Sequence, residues 1–243
     1  MSACETDAMP ELTTAARRLF YNLDGPWYRR GVAEAVGSHR YSRPALFGMD
    51  RRMEQLMPWR GGTFFEAGGH DGYTQSNTYF LERHRGWSGV LVEPIPELRD
   101  KCERRRPNAT VFGSALVGPE DDADSVVMHF GDLMSTTGAV AHAAGGLAVT
   151  GRSAYDIEVP ARTLASVLAE AGIDRLDLMV LDIEGRELEA LRGMDFDAVA
   201  PRHLLLESLT PQEARADFDA LLGERYELLE MASKHDLLYA RRD

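Results

Sequence analysis

Acidic and glycine residues follow short apolar runs at several points of the sequence. The loop Glu66-Ala67-Gly68-Gly69-His70-Asp71-Gly72 follows the apolar run 63–65, and Glu93 with Pro94 follows the run 90–92. Glycines allow the backbone to turn tightly and to approach a ligand closely. The carboxylate of Glu93, 25 residues after Gly68, can accept hydrogen bonds from both hydroxyls of a ribose. The spacing therefore indicates a site for a ribose-containing cofactor.

Three later apolar runs are also followed by small or acidic residues. Ser114 and Ala115 come after 110–112 and are small enough to flank a flat purine. Asp182 and Glu184 follow 178–181, and Glu207 follows 204–206. Asp182 is the first candidate near the chemistry, where it could hold an ammonium group, act as a base or bind a divalent ion. The alternative for both Asp182 and Glu184 is an acidic cap of the next helix, which the helix dipole favours.

These residues need a scaffold, and the apolar runs alternate with amphipathic stretches. We predict strands at 63–65, 90–92, 110–112, 178–181, 204–206, 226–229 and 237–240, and helices at 76–84, 97–106, 163–171, 184–191 and 210–222. Strands that are almost wholly apolar indicate a parallel sheet covered on both faces. In doubly wound sheets, ligands bind beyond the carboxyl ends of the strands, where the strand order reverses. The candidate residues are the ones that lie at those ends.

Residues 1–60 differ from the rest of the chain. They have a helical pattern, contain the aromatic residues Phe20, Tyr21 and Trp27, and place Leu46, Met49, Met53, Leu56 and Met57 on one helix face. We predict a helical N-terminal extension over 1–60 and a cofactor-binding domain over 61–243. The extension is either a layer packed on the core or a cap over a substrate pocket. The stretch 131–151, rich in Gly and Ala, is either a lid or a plain surface loop.

The composition excludes several classes of protein. The 243 residues are 44% hydrophobic and 27% charged, as in ordinary globular proteins, and 27 basic against 39 acidic residues give a net charge of −12. This acidity is unfavourable for nucleic-acid or anionic-membrane binding. No signal peptide is recognised, and no apolar run approaches the about 18 residues of a membrane span. Two cysteines, Cys4 and Cys102, suit free thiols in the cytoplasm.

The charge of the glycine loop separates two cofactor classes. A pyrophosphate binds to backbone donors away from anions, whereas this loop contains Glu66 and Asp71, with no Lys or Arg from 61 to 82. S-adenosylmethionine has a sulfonium, an ammonium group and a ribose but no phosphate. We therefore expect a methyl donor in preference to NAD.

Three blocks of the sequence resemble the FkbM-type S-adenosylmethionine-dependent methyltransferases. The first is 65–72, continued by Ser76-Asn77-Thr78 and Leu81-Glu82; the second is 86–94; the third is 177–185 with Glu187, Leu191 and Gly193. The resemblance extends over about residues 61–210. Position 70 departs from it, since the family more often has Asn where this chain has His70.

The resemblance implies a Rossmann-like class I methyltransferase fold, an α/β fold with a seven-stranded, mostly parallel sheet whose last strand is antiparallel. It implies that Glu66, Gly68 and Asp71 surround the methionine part of the cofactor and that Glu93 holds the ribose. Family members commonly methylate hydroxyl oxygens of sugars, polyketides and other natural products; carboxyl and nitrogen acceptors stay open. The complete set of cofactor-binding candidates is Glu66, Gly68, Gly69, Asp71, Gly72, Ser76, Asn77, Glu93, Pro94, Ser114, Ala115 and Asp182.

The catalytic candidates are Asp182, Glu184 and His70. No metal ligand set is identified: Asp182 and Glu207 fall short of a full coordination shell for Mg²⁺, which is compatible with the sequence but not expected. The expected partner is a small-molecule acceptor, and a homodimer is compatible with the sequence. Two other functions stay open, an NAD(P)-dependent oxidoreductase on a Rossmann sheet and a binding protein of the same fold without catalysis.

Overall fold

The computed structural model describes residues 23–131, 135, 137 and 153–242. Cys4, Phe20, Tyr21 and most of the stretch 131–151 lie outside the described residues. The strands are β1 Thr63–Ala67, β2 Ser88–Val92, β3 Ala109–Phe112, β4 Ala115–Leu116, β5 Ser125–His129, β6 Asp156–Arg162, β7 Leu178–Leu181, β8 His203–Glu207, β9 Tyr226–Met231 and β10 Asp236–Arg241. The α-helices are α1 Gly25–Ala35, α2 Met49–Leu56, α3 Tyr79–Arg85, α4 Pro96–Arg105, α5 Leu164–Glu170, α6 Glu187–Arg192 and α7 Pro211–Leu222.

Seven strands form the central sheet in the order β3-β2-β1-β7-β8-β10-β9. The first five run parallel, and β10 runs antiparallel to both β8 and β9. The strand order reverses at β1, where Ala67 pairs with Val92 on one side and with Leu181 on the other. The seven predicted strands and the predicted Rossmann-like α/β fold with a seven-stranded, mostly parallel sheet are confirmed. The carboxyl ends of β1, β2 and β7 meet at one edge of the sheet.

The central strands are apolar because both faces of the sheet are covered. All four residues of β7 are buried, and they alternate between two hydrophobic clusters. Met179 and Leu181 pack towards α5, α6 and α7, whereas Leu178 and Val180 pack towards Met49 and Met53 of α2. The methionines at every fourth position, Met49, Met53 and Met57, therefore cover one face of the sheet.

A second, small sheet has the order β4-β6-β5 and was not predicted. Its strand β6 alternates exposed and half-buried residues and includes a proline, so it lacks the apolar run by which the central strands were recognised. Phe130, directly after β5, stacks on Tyr155 with ring centroids 4.6 Å apart. Met128 of β5 faces the same edge of the molecule as the ends of β1 and β2, because it lines the cavity described below.

The N-terminal helical segment is attached to α3 and α4. Asp24 forms ion pairs with Lys101 at 2.8 Å and with Arg105 at 3.1 Å. Trp27 of α1 packs edge-on against Tyr79 of α3, with ring centroids 6.2 Å apart. Among the described residues, no helix is both long and apolar enough to cross a membrane.

Candidate functional site

A cavity lies beyond the carboxyl ends of β1, β2 and β7. It encloses about 900 Å³, counting the part that is open to solvent, within the size range of small-molecule sites. It is lined by Glu66, Ala67, Gly68, His70, Thr74, Gln75, Asn77, Val92, Glu93, Pro94, Ser114, Ala115, Leu116, Met128, Ser135, Thr137, Asp182, Ile183, Glu184 and Arg186. The strand order reverses beside this cavity, as expected for the ligand site of a doubly wound sheet.

Gly68 allows the loop after β1 to fold over the sheet edge. Its φ is +85°, and a Cβ at this position would stand 1.9 Å from the backbone oxygen of Asp182. The N–H groups of Gly68 and Gly69 both donate to the carbonyl of Val92 at 3.1 Å. The loop is thus fixed between β2 and β7, and only glycine fits at residue 68.

The thiol of Cys102 lies directly beneath this loop. Cys102 belongs to α4 and is fully buried, and its Sγ is 3.0 Å from the carbonyl oxygen of His70 and 3.6 Å from that of Gly69. Burial raises the pKa of the thiol far above its ordinary value. In the closed loop, Cys102 therefore acts as a small apolar side chain.

Glu66, at the end of β1, holds the segment that follows the loop. Its carboxylate accepts hydrogen bonds from Ser76 Oγ at 2.9 Å, from the N–H of Asn77 at 2.8 Å and from Thr78 Oγ1 at 2.5 Å. The buried guanidinium of Arg106 lies 3.4 Å from the same carboxylate. These bonds keep 76–78 out of the predicted helix 76–84, so α3 begins at Tyr79.

Asp71 stabilises the loop itself and does not line the cavity. It accepts hydrogen bonds from the N–H of Thr74 at 2.6 Å and of Tyr73 at 2.9 Å, and Arg105 Nη1 lies 2.7 Å away. Burial alone would raise the pKa of Asp71, but hydrogen bonding and charge from His70, together with the charge of Arg105, hold it well below its usual range. Asp71 is therefore ionised at neutral pH.

The two loop carboxylates are neutralised by arginines from another element. Arg105 and Arg106, at the end of α4, pair with Asp71 and Glu66. The charge of the loop is therefore not set by residues 61–82 alone, because the pairing arginines lie 34 and 40 positions further along the chain. These pairs offset part of the negative charge of the loop, since Arg106 also pairs with Glu82.

Glu93 is the buried carboxyl that faces the cavity from the end of β2. Its two oxygens accept hydrogen bonds from the N–H of His70 at 2.8 Å and of Ile95 at 2.9 Å. Burial raises the pKa of Glu93 to about 7. Ser114, which follows β3 and lines the same wall, has a buried hydroxyl oxygen without a hydrogen-bond partner within the described part of the chain. This wall therefore offers a carboxyl and a hydroxyl to a polar ligand.

Carboxyl groups gather on the opposite wall, after β7 and β8. Asp182 lines the cavity, and its side chain is hydrogen-bonded to Glu207. Burial and the neighbouring carboxyl of Glu207 raise the pKa of Asp182 well above its usual range. Glu187 accepts hydrogen bonds from the N–H groups of Ile183 at 2.9 Å and Gly185 at 3.1 Å.

The residues between Asp182 and Glu187 form a turn instead of the predicted first turn of a helix. Glu184 and Gly185 have φ values of +57° and +97°, and α6 begins only at Glu187. Glu184 is one of five non-glycine residues with positive φ in the described part of the chain, and three of these five, His70, Gln75 and Glu184, line the cavity. Strained backbone of this kind concentrates at functional sites.

No group of three His, Cys, Asp or Glu side chains within the described residues is arranged to hold a metal ion. Asp182 and Glu207 stand as a hydrogen-bonded pair. Within the described residues, no third His, Cys, Asp or Glu side chain therefore joins Asp182 and Glu207 to form a ligand set for Mg²⁺.

The structure brings ten of the fourteen candidate residues to the cavity wall: Glu66, Gly68, His70, Asn77, Glu93, Pro94, Ser114, Ala115, Asp182 and Glu184. The other four, Gly69, Asp71, Gly72 and Ser76, lie in the loop segment behind it. Sequence reasoning missed the lining residues Thr74, Gln75, Met128, Ser135, Thr137 and Arg186. Of these, only Arg186 could have been found from the sequence, because it lies two residues after the candidate Glu184. In the structure, Arg186 pairs with Asp121 at 3.3 Å.

Titration of Glu187 is expected to make the stability depend on pH. Burial raises its pKa from 4.5 to about 7. A carboxyl that holds its proton more tightly when folded loses stability as the pH rises from its unfolded pKa to its folded pKa. Between pH 5 and 8, this titration should lower the unfolding free energy of wild type by at most about 3 kcal/mol. Glu187→Gln should lack this decrease. Urea unfolding of both proteins at several pH values measures this difference.

The comparison with wild type is necessary because other groups titrate in the same range. Burial lowers the pKa of His84 and His203, which works in the opposite direction. Glu158→Gln, on the exposed side of β6, is the matched control and should leave the pH dependence unchanged. Identical pH profiles for Glu187→Gln and wild type would contradict the assignment.

Several known proteins are similar to this chain in sequence or in structure. Residues 66–232 match the model of the methyltransferase FkbM domain. An 81-residue stretch, 30% of this chain and 31% of the relative, is 32% identical to methyltransferase sdnD of Sordaria araneosa. The matched stretch thus spans about a third of that relative's length.

Two solved structures are similar at low sequence identity. A methyltransferase FkbM from Methylobacillus flagellatus KT has 14% identity and a TM-score of 0.47, over 74% of this chain and 43% of that one. A TehB-like SAM-dependent methyltransferase from Corynebacterium glutamicum has 12% identity and a TM-score of 0.41, over 91% and 97% of the two chains.

Proposed function

This chain belongs to the methyltransferase FkbM family, and from that we propose that it transfers a methyl group from S-adenosylmethionine to a hydroxyl oxygen of a small metabolite. The observation that carries the proposal is Glu93, a buried carboxyl at the end of β2 that faces the cavity. A carboxylate in this position can accept both hydroxyls of a ribose, and its burial makes each such hydrogen bond stronger than in water.

The residues present fit this cofactor. Gly68 lets the loop after β1 pack against the backbone of Asp182, where a Cβ would clash, and this contact keeps the loop at the edge of the cavity. The buried hydroxyl of Ser114 lies on the wall that would flank the adenine. When bound, S-adenosylmethionine supplies a methyl carbon that is already activated by the sulfonium. Glu66 and Asp71 support the proposal indirectly, since they hold the loop and the 76–78 segment in shape.

The role of the chain in the transfer is to align the acceptor oxygen and to take its proton. Alignment supplies much of the rate increase in such a displacement. We assign the acceptance of this proton to Asp182, which lines the cavity and has the carboxyl of Glu207 beside it. A carboxyl with a raised pKa is better matched to a proton transfer near neutral pH. His70 and Glu184 line the same space and are the other catalytic candidates.

The wider organisation is part of the same proposal. We propose that residues 1–60 form a helical N-terminal extension and that 61–243 form the cofactor-binding domain. The buried free thiol of Cys102 supports a reducing, cytoplasmic location. We propose that the acceptor is a small molecule. A hydroxyl group is favoured as the acceptor because Asp182, which can take its proton, lines the cavity.

A thermal-shift experiment with S-adenosylhomocysteine, S-adenosylmethionine, NAD and NADP tests the proposal. A ligand at 100 times its dissociation constant stabilises the folded state by about 2.7 kcal/mol, or about 5–10 °C for a chain of this size. We expect this shift with the two adenosyl-sulfur ligands and none with NAD or NADP. A shift with NAD or NADP alone would establish the oxidoreductase alternative; binding of S-adenosylmethionine without transfer to any acceptor would favour the non-catalytic one.

A further inference from the structure

The short segment that follows the glycine loop forms part of the cavity wall, and two buried carboxylates hold it. Asp71 accepts a hydrogen bond from the N–H of Thr74 at 2.6 Å. Glu66 accepts one from the N–H of Asn77 at 2.8 Å. The backbone is therefore fixed on both sides of Gln75, which lines the cavity.

The backbone of Gln75 is strained. Its φ is +61°, in the left-handed region that a residue with a side chain adopts only at a cost. A glycine would take this conformation without strain. Strained residues are concentrated at ligand sites, and Gln75 combines its strain with a place on the cavity wall. Its side-chain amide is therefore a candidate for direct contact with a ligand.

The side chains on either side of Gln75 are bonded to the two carboxylates. The Thr74 hydroxyl donates to Asp71 at 2.9 Å. The Ser76 hydroxyl donates to Glu66, also at 2.9 Å. A hydroxyl has one O–H to donate, whereas a side-chain amide has two N–H donors and an acceptor oxygen. Of these three consecutive residues, Gln75 is therefore the one whose side chain can donate hydrogen bonds to a ligand.

The order of the strands indicates which part of the cofactor meets this segment. Ser114 follows β3 and Glu93 follows β2, where we propose the adenine and the ribose. The next strand in the sheet is β1, so the amino-acid end of the cofactor would reach the loop after β1 and Gln75 beyond it. This end carries an ammonium group and a carboxylate. The amide of Gln75, with donors and an acceptor, is complementary to both.

Arg186 is the competing donor for the carboxylate of the cofactor. It lines the cavity from the side of β7 and is permanently charged. Its guanidinium, however, pairs with Asp121 at 3.3 Å and also with Glu189. Two acidic side chains thus already compensate the charge of Arg186, which favours Gln75 for this contact.

We propose that Gln75 binds the amino-acid end of the S-adenosyl cofactor through its side-chain amide. This inference rests on the proposed function, because it names a further binding residue of the same site. The strained backbone is then the cost of presenting an amide at this point of the wall. A glycine at residue 75 would relieve the strain and weaken the site.

The test uses the full chain and two ligands that differ only at the amino-acid end. S-adenosylhomocysteine has this end, whereas 5′-methylthioadenosine has the same adenine, ribose and thioether without it. Calorimetric titration measures the Kd of each ligand. In Gln75→Gly, the Kd of S-adenosylhomocysteine should rise about tenfold, as expected for the loss of a hydrogen bond to a charged group. The Kd of 5′-methylthioadenosine should not change.

Gln75→Gly should also keep or raise the Tm, because glycine adopts the positive φ without strain. Weaker binding in this variant would therefore not result from unfolding. Phe47→Gly is the matched control, since Phe47 also has a positive φ, +54°, but is exposed and lies outside the cavity wall. It should keep or raise the Tm and leave both Kd values unchanged.

Arg186→Gln tests the competing donor and should not change the ratio of the two Kd values. The inference is overturned if Gln75→Gly binds S-adenosylhomocysteine as wild type does, or if both ligands are weakened equally. It is also overturned if Arg186→Gln, in place of Gln75→Gly, selectively weakens S-adenosylhomocysteine. Failure of both ligands to bind wild type would instead overturn the proposed function itself.

Discussion

Replacing Gly68 with alanine is expected to abolish binding of S-adenosylhomocysteine and to destabilise the fold. The added Cβ would stand 1.9 Å from the backbone oxygen of Asp182, and the φ of +85° is unfavourable for alanine. Backbone cannot move aside as the end of a side chain can, so the loop must leave the sheet edge. Strain and overpacking together should cost about 3 kcal/mol of unfolding free energy. Urea unfolding and calorimetric titration with S-adenosylhomocysteine measure the two effects.

Gly172→Ala is the matched control for that variant. Gly172 also has a positive φ, +65°, but a Cβ there meets no atom within 4 Å. Its substitution should cost only about 1 kcal/mol through backbone strain and leave ligand binding intact. Wild-type affinity in Gly68→Ala would show that the loop is not part of the cofactor site.

Replacing Glu93 with glutamine should raise the Kd of S-adenosylhomocysteine by about 10- to 100-fold. Glutamine has the same shape but loses the charge, and a hydrogen bond to a charged group contributes about 1.5–3 kcal/mol. Because the pKa of Glu93 is raised to about 7, wild-type affinity should also be weaker at pH 6 than at pH 8. The protonated carboxyl has one acceptor oxygen fewer for the ribose. Titration calorimetry at pH 6, 7 and 8 measures both effects.

Glu158→Gln on β6 is the control, since it removes a carboxylate of the same type far from the glycine loop. It should retain both the affinity and the pH dependence of wild type. In Glu93→Gln the pH dependence should disappear. An unchanged affinity in that variant would remove Glu93 from the ribose site, and a persistent pH dependence would assign the titration to another group.

The sequence was sufficient to predict the features that depend on local pattern. The apolar runs predicted all seven strands of the central sheet, most clearly β1, β7 and β8, whose burial on both faces leaves no alternation in the sequence. Because ligands of such sheets bind at the carboxyl ends of the strands, the sequence also predicts that Glu93 and Asp182 line one cavity, as they do.

The features that failed depend on contacts between distant segments. Nothing local to 76–78 indicates that Glu66 captures this segment, so the helix was predicted three residues too early. In the sequence, Arg105 and Arg106 look like the basic residues that commonly end a helix. Their pairing with Asp71 and Glu66 can be seen only in the folded structure. β6 was missed because its residues pair at an exposed sheet where no long apolar run is required.

The position of Cys102 makes its thiol a probe of the equilibrium between the open and closed states of the glycine loop. An alkylating reagent can reach the thiol only when the loop over it lifts, since Sγ is covered by the backbone of Gly69 and His70. When the loop closes faster than the reagent reacts, the observed rate is the intrinsic rate multiplied by the equilibrium constant of opening. The factor by which a bound ligand slows alkylation then gives, as RT times its natural logarithm, the free energy by which that ligand closes the loop. A native residue reports this free energy without an added label.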